Sequence, residues 1–332
     1  MSTLNPTRRA ALLTAAIVMA ACSSEADDAA SASASATTSS TVSGTATTVS
    51  TVAGTATTDV TTEPPDVDPV DLGRLVVLGE EFLLADVLAL GGRPIASTAT
   101  LEGEFSGIRR ETGGIQPLSS TEANFELLAS LEPDLILVTS GVIDLVGVEL
   151  FEGIAPTTVI DSSDWRVQVE ELGAAMGVPE RADELLARYD NAVAAAEVDV
   201  PADVEITLAT VYTGPSLAVW ADGPVNIPQT LLDLGITLSP GGGELDGERN
   251  GRAFISNELI PLLDGDLLIL AQSSGVEGED ASVAEIASEP LWQTLPAVQN
   301  DAVLTIDRLG YPGVEGRIRL IEDVVAAIDA GS

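Results

Sequence analysis

The sequence predicts an α/β protein of two lobes, each built on a parallel central sheet, and three observations support this. From about Asp71 onward, short apolar runs alternate with helical stretches, which is typical of parallel strands covered by helices. A helix-turn-strand segment recurs 132 residues later, since Glu126 matches Glu258. A long helical stretch separates the halves. We therefore expect lobes at residues 71–165 and 199–332, joined by one interlobe helix over 166–198.

The first 22 residues are arranged like an export signal. Arg8 and Arg9 precede an apolar core of 11 residues at 10–20, which is shorter than the ~20 residues that span a bilayer. The core ends in Met19-Ala20-Ala21-Cys22, which resembles the lipobox of bacterial lipoproteins. We expect a signal peptide over 1–21. An ordinary cleavage site beside an incidental cysteine is the alternative, and twin-arginine export also remains open.

Residues 22–70 are predicted to form a tether. Beyond Cys22, which is the only cysteine of the chain, the segment consists of Ser, Thr, Ala and Gly with scattered acids. It ends in Pro64-Pro65 and Pro69. No apolar periodicity runs through it, so we expect it to be disordered.

The composition excludes several kinds of chemistry. The 332 residues carry a net charge of −38, and all 14 basic residues are arginines, so lysine and histidine are both absent. His-ligated zinc or haem, a Ser-His-Asp triad, a lysine Schiff base and a P-loop lysine are therefore excluded. The negative charge argues against a nucleic-acid partner. An exported glycosidase with paired carboxylates remains an alternative, because it needs none of the missing side chains.

Six apolar runs are predicted as buried strands, at residues 75–78, 135–138, 157–160, 206–211, 267–270 and 303–306. A helix is expected over 80–90, where Gly91-Gly92 ends it. The interlobe stretch at 166–197 reads as helical throughout, and Pro179 is expected to kink or restart it.

The repeated segment is the strongest sequence evidence that the two lobes are related. Residues 126–138 match residues 258–270 position by position, including the leading glutamate. Each copy predicts an amphipathic helix, a tight turn with two acids and a fully buried strand. This agreement favours two related lobes over a chance match.

Taken together, these features resemble the class III substrate-binding lipoproteins of ABC importers for ferric siderophores and cobalamin. Three stretches are similar to sequence motifs of that family, namely Leu118–Glu126, Leu131–Leu137 and Ile154–Val159. The opening Val77–Asp86 is most similar to the iron–siderophore branch. The absence of histidine departs from the zinc and manganese branch.

The resemblance implies two Rossmann-like lobes and a monomeric binding protein with no catalytic residues and no metal site of its own. Such a protein captures a ferric siderophore between its lobes and delivers it to the permease of an ABC importer. It is anchored through a lipid on Cys22 to the outer face of the cytoplasmic membrane. It needs no intrinsic cofactor, because the siderophore supplies the iron ligands. Glu126 and Glu258 match the glutamates that dock on the permease. A cobalamin or Tyr-ligated haem ligand, and a sensor that does not deliver its ligand, remain open.

Arginines and aromatic side chains near the predicted connections are the candidate ligand contacts, because siderophore complexes are bulky and often anionic. These candidates are Arg109, Trp165, Tyr212, Trp220, Arg249, Arg252, Arg308 and Tyr311. Trp292 is assigned to packing, and Arg181 and Arg188 to a solvated helix face. The glycine-rich loop 241–252 is expected to be mobile at the cleft rim. Residues 140–141 and 272–275 follow the repeated strands and are expected to line opposite walls.

Overall fold

The computed structural model describes residues 64–331, except 102, 162, 215, 224 and 274. The predicted signal peptide, Cys22 and the tether up to residue 63 lie outside the described residues. The expected disorder is wrong for residues 64–70, because hydrogen bonds from arginines to their carbonyl groups hold them against the domain. Within the described part, no helix has both the length and the apolar character needed to cross a membrane.

The first lobe has a five-stranded sheet in the order β3-β2-β1-β4-β5, and all its pairings are parallel. Its strands are β1 (Leu75–Leu78), β2 (Ala96–Ala99), β3 (Gln116–Ser119), β4 (Leu135–Thr139) and β5 (Thr157–Ile160). Its helices are α1 (Glu80–Ala89), α2 (Phe125–Ser130), α3 (Ser140–Val146) and α4 (Glu149–Glu152). All four residues of β1 are buried, as expected for a parallel strand covered on both faces.

The remaining elements are the helices that lead to the second lobe and the elements of that lobe. These elements are α5 (Trp165–Ala175), α6 (Pro179–Ala196), β6 (Glu205–Tyr212), β7 (Ser216–Trp220), α7 (Asn226–Asp233), β8 (Thr237–Leu238), β9 (Arg252–Ile255), β10 (Leu267–Gln272), α8 (Glu279–Ser288), α9 (Pro296–Gln299), β11 (Val303–Asp307) and α10 (Gly313–Gly331). Short 3-10 helices lie at Asn257–Leu262 and Trp292–Thr294.

The sheet of the second lobe is mixed: β6, β8, β10 and β11 pair in parallel as expected, whereas β7 and β9 add antiparallel pairings. Its order is β11-β10-β6-β7-β9, with β8 also pairing with β6. β7 is antiparallel to both β6 and β9. The reason is the short connection between β6 and β7, because a parallel crossover needs a dozen or more residues.

The internal repeat is confirmed in the topology. β4 lies between β1 and β5, and β10 lies between β6 and β11, so the repeated strands hold equivalent places in the two sheets. The preceding helix differs between the copies. In the first lobe it is α2, whereas Pro261 lies within the 3-10 helix of the second lobe.

The six predicted strands are all present, and none of their ends is displaced by more than two residues. The predicted helix over 80–90 corresponds to α1. The strands β2, β3, β7, β8 and β9 were not predicted. β2 and β3 read ASTA and QPLS, which lack the apolar runs that mark a buried strand.

The interlobe stretch forms two helices instead of one continuous helix. α5 ends at Ala175, Gly177 adopts a left-handed φ of 71°, and Pro179 occupies the first turn of α6. The predicted restart at Pro179 is therefore confirmed, and α6 alone leads to β6.

Both lobes belong to one compact unit and share a core. Leu83 of α1, Leu185 of α6 and Leu320 of α10 lie in the same buried cluster. Asp86 of α1 also joins the lobes, because its Oδ1 accepts a hydrogen bond of 2.8 Å from the amide of Val314 in α10. These contacts fix the second-lobe strand ends relative to the first lobe.

Candidate ligand-binding site

The carboxyl ends of β6, β10 and β11 carry the predicted polar residues of the second lobe. Ala271 of β10 pairs with both Thr210 and Ile306, so the next residues on the same face are Tyr212, Ser273 and Arg308. Open α/β sheets place their ligands beyond this edge.

Arg252 lies on this face within a frame of aromatic rings. Its Cζ is 5.7 Å from the ring centroid of Tyr212, 5.2 Å from that of Trp220 and 5.4 Å from that of Phe254. Its Nη1 donates a hydrogen bond of 2.7 Å to the hydroxyl of Tyr212. The Trp220 indole donates to Thr210 Oγ1 at 2.9 Å, which fixes the ring. We call Arg252, Tyr212, Trp220 and Phe254 the Arg252 cluster.

The guanidinium of Arg252 has no carboxylate partner in the described part of the chain, where the ion pairs are those of Arg110, Arg166, Arg188 and Arg308. Other described arginines also lack an ion pair, and Arg252 differs from them in the three aromatic rings that surround its guanidinium. Phe254 is 56% exposed, so the cluster opens to solvent. An available guanidinium among aromatic faces is suited to bind a planar or anionic group.

The local sequence explains how Arg252 is positioned. Arg252 and Phe254 are two residues apart in β9, so their side chains share one face of the sheet. Trp220 of β7 pairs directly with Arg252. Before β9, Asn250 and Gly251 both adopt left-handed φ values of 53° and 75°, which is typical of an Asn-Gly hairpin turn.

Arg308 lies beside the cluster, but its charge is already compensated. Its Nε and Nη2 donate to the Glu279 carboxylate at 3.2 and 2.8 Å, and Glu279 is 1% exposed. Glu279 also accepts a bond of 2.6 Å from the Ser273 amide. The Arg308 Cζ lies 5.5 Å from the ring centroid of Tyr212. Arg308 thus supports Tyr212, while Arg252 keeps its charge available.

Arg249 is next to the cluster, and Trp165 is not part of it. Arg249 is exposed, and its amide bonds the carbonyl of Arg252 at 2.8 Å across the hairpin. The Trp165 ring packs edge-on against Tyr189 at 4.9 Å, and Arg317 Cζ lies 4.3 Å from it. The structure therefore places Trp165 in the packing of α5, α6 and α10, and its contact with a ligand stays a prediction.

Tyr311 and Arg109 lie next to residues of α10 and are not members of the Arg252 cluster. The Tyr311 hydroxyl donates to Asp323 Oδ2 at 2.7 Å, and burial raises the pKa of this phenol above its usual value. Arg109 is exposed and lines a small cavity of about 50 Å³ with Arg319. Contact of these residues with a ligand remains a prediction.

The first lobe presents acids where β1 and β2 end. Glu81 is buried, and its carboxylate accepts hydrogen bonds from the amide and the hydroxyl of Thr100. Glu80 has a left-handed φ of 61°, and burial together with the Glu81 carboxylate raises the pKa of Glu80. The lobes meet nearby, because a Cβ on Gly275 would lie 2.5 Å from Leu101 Cδ1.

Several residues of this region were not assigned from the sequence. Phe254 was missed because β9 was not predicted, although the alternation in Arg252–Ile255 is a signal that could have found it. Glu279 was missed because its pairing with Arg308 depends on tertiary structure. Glu80 and Glu81 lie in the stretch Val77–Asp86 that resembles the family, but nothing in the sequence singles them out.

Trp292 is 5% exposed in the core of the second lobe, which confirms its packing assignment. Loop 241–252 is held by bonds such as that from the Gly243 amide to Glu248 at 2.7 Å, and Leu245 in it is buried. Its mobility stays a prediction. Gln272 Oε1 and Ser273 Oγ are buried without a partner among the described residues, and Ser274 lies outside them.

Glu126 and Glu258 are both exposed, in the first turns of α2 and of the 3-10 helix at Asn257–Leu262. The α2 helix is capped by Asn124, whose Oδ1 accepts from the Leu127 amide at 2.9 Å. Among residues the structure describes, no group of three or more acids or cysteines is arranged to hold a metal ion.

A family model described as "Periplasmic binding protein" matches residues 76–308, which include both sheets and the Arg252 cluster. The chain belongs to the periplasmic binding protein family. The resemblance and the two-lobed fold predicted from the sequence are thereby confirmed. Members of this family are binding proteins, so the protein is not an enzyme and the glycosidase alternative is dropped.

Two curated relatives and one solved structure are similar to this chain. The chain is 30% identical over 247 residues to the ferric enterobactin-binding periplasmic protein FepB of Escherichia coli, covering 68% of this chain and 76% of that protein. It is 24% identical over 272 residues to the probable siderophore-binding lipoprotein YfiY of Bacillus subtilis, covering 77% and 82%. The crystal structure of Staphylococcus aureus SirA complexed with staphyloferrin B superposes with a TM-score of 0.64 at 22% identity, covering 77% of this chain and 92% of that one. This superposition shows the fold.

Proposed function

We propose that this protein captures a ferric siderophore between its lobes and delivers it to the permease of an ABC importer for iron uptake. The observation that carries the proposal is the Arg252 cluster. It offers one guanidinium without a carboxylate partner in the described chain, framed by three aromatic rings at 5.2 to 5.7 Å.

The chemistry of the cluster fits this ligand class. A ferric siderophore brings its own iron ligands, so its binding protein supplies cations and apolar faces instead of metal ligands. A chain with a net charge of −38 repels anions in general, so a site for an anionic complex requires locally concentrated positive charge. The names of FepB and YfiY, which state binding of ferric enterobactin and probable binding of siderophores, support the same class.

Cobalamin and haem are the alternative ligands within this family. Haem ligated by tyrosine requires a phenolate free to reach the iron. The Tyr311 hydroxyl instead donates to Asp323. This bond favours a siderophore over haem ligated by Tyr311, and titration with haem tests ligation by Tyr212.

Delivery to a permease separates an importer component from a sensor. Glu126 and Glu258 support delivery, because one exposed glutamate stands at the equivalent place of each lobe. We further propose that the mature protein is a monomer, anchored by a lipid on Cys22 to the outer face of the cytoplasmic membrane. The relative YfiY is a lipoprotein by name.

Tryptophan fluorescence tests ligand capture. The mature chain is titrated with ferric hydroxamates, ferric catecholates, ferric citrate, haem and cobalamin. We expect saturable quenching by one ferric siderophore class, with a micromolar or lower Kd. The reporter is Trp220, whose ring lies 5.2 Å from Arg252 Cζ, whereas Trp292 is buried in the second-lobe core.

The Trp220→Phe variant is the matched control. It should lose most of the quenching while calorimetry still detects binding, since Phe keeps an aromatic face. Quenching by haem or cobalamin alone would replace the siderophore proposal with one of its alternatives. No saturable signal with any ligand, confirmed by calorimetry, would contradict the proposal.

A further inference from the structure

Residues 64–70 lie against the folded domain and are held through their backbone. The carbonyl of Pro65 accepts a hydrogen bond from Arg110 Nη2 at 3.1 Å, and that of Asp68 accepts from Arg181 Nη1 at 2.7 Å. The carbonyl of Val67 accepts from Arg93 Nη2 at 3.4 Å. These three bonds each use an arginine, in a chain that has only 14.

Two more contacts fix the end of the segment. The Val70 amide donates to the carbonyl of Gly91 at 2.9 Å. Gly91 has a left-handed φ of 98°, and a Cβ added there would lie 2.6 Å from the carbonyl oxygen of Asp68. A glycine is therefore required where the segment passes over the end of α1.

The arginines come from separate elements, and one of them also joins the lobes. Arg93 follows α1, Arg110 lies between β2 and β3, and Arg181 belongs to α6. Arg110 donates to both carboxylate oxygens of Glu315 in α10, at 2.8 and 2.7 Å. The two side chains are only 11% and 13% exposed. The segment thus begins at an ion pair between the lobes.

The segment itself is suited to this mode of binding. Pro64, Pro65 and Pro69 have restricted φ angles and no amide hydrogen, so they favour an extended backbone with free carbonyls. Asp66 and Asp68 are exposed. The arginines therefore recognise the path of the backbone and not the acidic side chains.

We propose that residues 64–70 form a fixed strap across the seam between the lobes, which sets the point where the N-terminal segment leaves the domain. That point lies at Pro64 and Pro65, which share a small cavity with Glu315 in the first turn of α10. α10 directly follows the strand end that carries Arg308. The strap therefore brings the N-terminal segment to the end of the second lobe that carries the candidate ligand site, independently of what the site binds.

Distance measurement between two spin labels tests the strap. The labels are placed at Asp66→Cys and Glu184→Cys, two exposed positions in the strap and in α6, in the mature chain with Cys22→Ser. We expect a single narrow distance distribution. Removing the clamp with Arg93→Gln, Arg110→Gln and Arg181→Gln should make it at least about twofold wider, as for a flexible coil.

Two further variants distinguish loss of the strap from unfolding of the domain. Pro64→Gly, Pro65→Gly and Pro69→Gly together leave the domain unchanged and should also widen the distribution. Asp68→Asn keeps the carbonyl and should leave it narrow. A label pair at Ser130→Cys and Glu184→Cys, within the domain, should stay narrow in every variant. A broad distribution in the wild type, or a narrow one in the triple arginine variant, would overturn the proposal.

Discussion

Arg252 has three aromatic rings around its guanidinium, and none of the ion pairs formed by the described residues includes it. Its neighbour Arg308 shows the contrast, because Arg308 is paired with the buried carboxylate of Glu279. Both arginines lie close to the same tyrosine, because their Cζ atoms are 5.7 and 5.5 Å from the ring centroid of Tyr212. This difference in partners supports our proposal that Arg252 is the cation that meets an anionic ligand.

Arg252→Gln should weaken siderophore binding about 10- to 100-fold. A hydrogen bond to a charged group contributes about 1.5–3 kcal/mol, and each ~1.4 kcal/mol is a factor of ten in Kd. The fluorescence titration measures the change. Arg166→Gln is the matched control, because Arg166 forms an exposed ion pair with Asp190 and should leave the affinity unchanged. Equal affinities for wild type and Arg252→Gln would remove Arg252 from the site.

At the scale of single residues, sequence reasoning finds the types of side chain and not their partners. Scarce arginines and aromatics near predicted connections led to Tyr212, Trp220 and Arg252. The same reasoning also named Trp165, whose indole packs edge-on against Tyr189. The partners of each of these side chains depend on tertiary contacts, which the sequence does not show.

Asp86 connects two elements, because it lies in α1 and its carboxylate caps α10 of the other lobe. Burial raises the pKa of Asp86 to about 7, and this outweighs the opposing effects of the Val314 amide and of Arg317. Between the ordinary value of 3.8 and about 7, the folded protein binds more protons than the unfolded chain. The Asp86 contribution therefore lowers the free energy of unfolding as the pH rises through this range.

Asp86→Asn should remove this contribution, since an amide oxygen still accepts from Val314 but does not ionise. The free energy of unfolding of the variant minus that of the wild type should increase by at least about 1 kcal/mol from pH 5 to pH 8. The reason is that one pKa unit corresponds to about 1.4 kcal/mol. Urea unfolding at the two pH values measures the difference. A stability gap that does not change with pH would show that Asp86 titrates normally.

The hairpin before β9 positions Arg252, and Gly251 is its most constrained residue. Gly251 has a φ of 75°, and an added Cβ would lie 2.1 Å from the carbonyl oxygen of Asp222. Gly251→Ala should therefore lower the free energy of unfolding by more than about 1 kcal/mol and weaken ligand binding.

Gly243→Ala is the matched control for this prediction. Gly243 has a similar φ of 79°, but nothing lies within 4 Å of its added Cβ. Gly243→Ala should lower the free energy of unfolding only by the strain of a left-handed alanine, and it should leave the affinity for the ligand unchanged. Thermal unfolding and titration of both variants separate the effects, and equal losses of affinity would contradict the role of the hairpin.

Elements that are apolar throughout are predictable from this sequence, and those defined by pairing are not. All four residues of β1 are apolar and buried. β7 and β9 alternate between the two faces and depend on a hairpin, so their antiparallel pairing was not visible in the apolar pattern.

For the whole molecule, the repeat and the shared core describe two related lobes with equivalent strand orders. One exposed glutamate precedes the repeated strand in each lobe, at Glu126 and Glu258. The two lobes and their order along the chain were predictable because the repeated segment is visible as sequence similarity. The contacts of residues 64–70 were not, because backbone carbonyls leave no signal in side-chain composition.

Glu126→Ala combined with Glu258→Ala should impair uptake of the iron complex by cells and leave its affinity for the purified protein unchanged. Removing two exposed carboxylates weakens charge complementarity with a permease without touching the Arg252 cluster. Glu149→Ala combined with Glu285→Ala, two exposed acids elsewhere on the lobes, is the control. Normal uptake by the first double variant would refute the docking role.

The location of the bound iron tests the proposed site most directly. Crystals of the mature protein grown with the siderophore identified by titration are measured at the iron absorption edge. We predict an anomalous peak between the lobes, with the ligand in contact with Arg252 and the rings of Trp220 and Phe254. A ligand bound elsewhere, for example beside Trp165 or Tyr311 with the Arg252 cluster still open to solvent, would contradict this assignment.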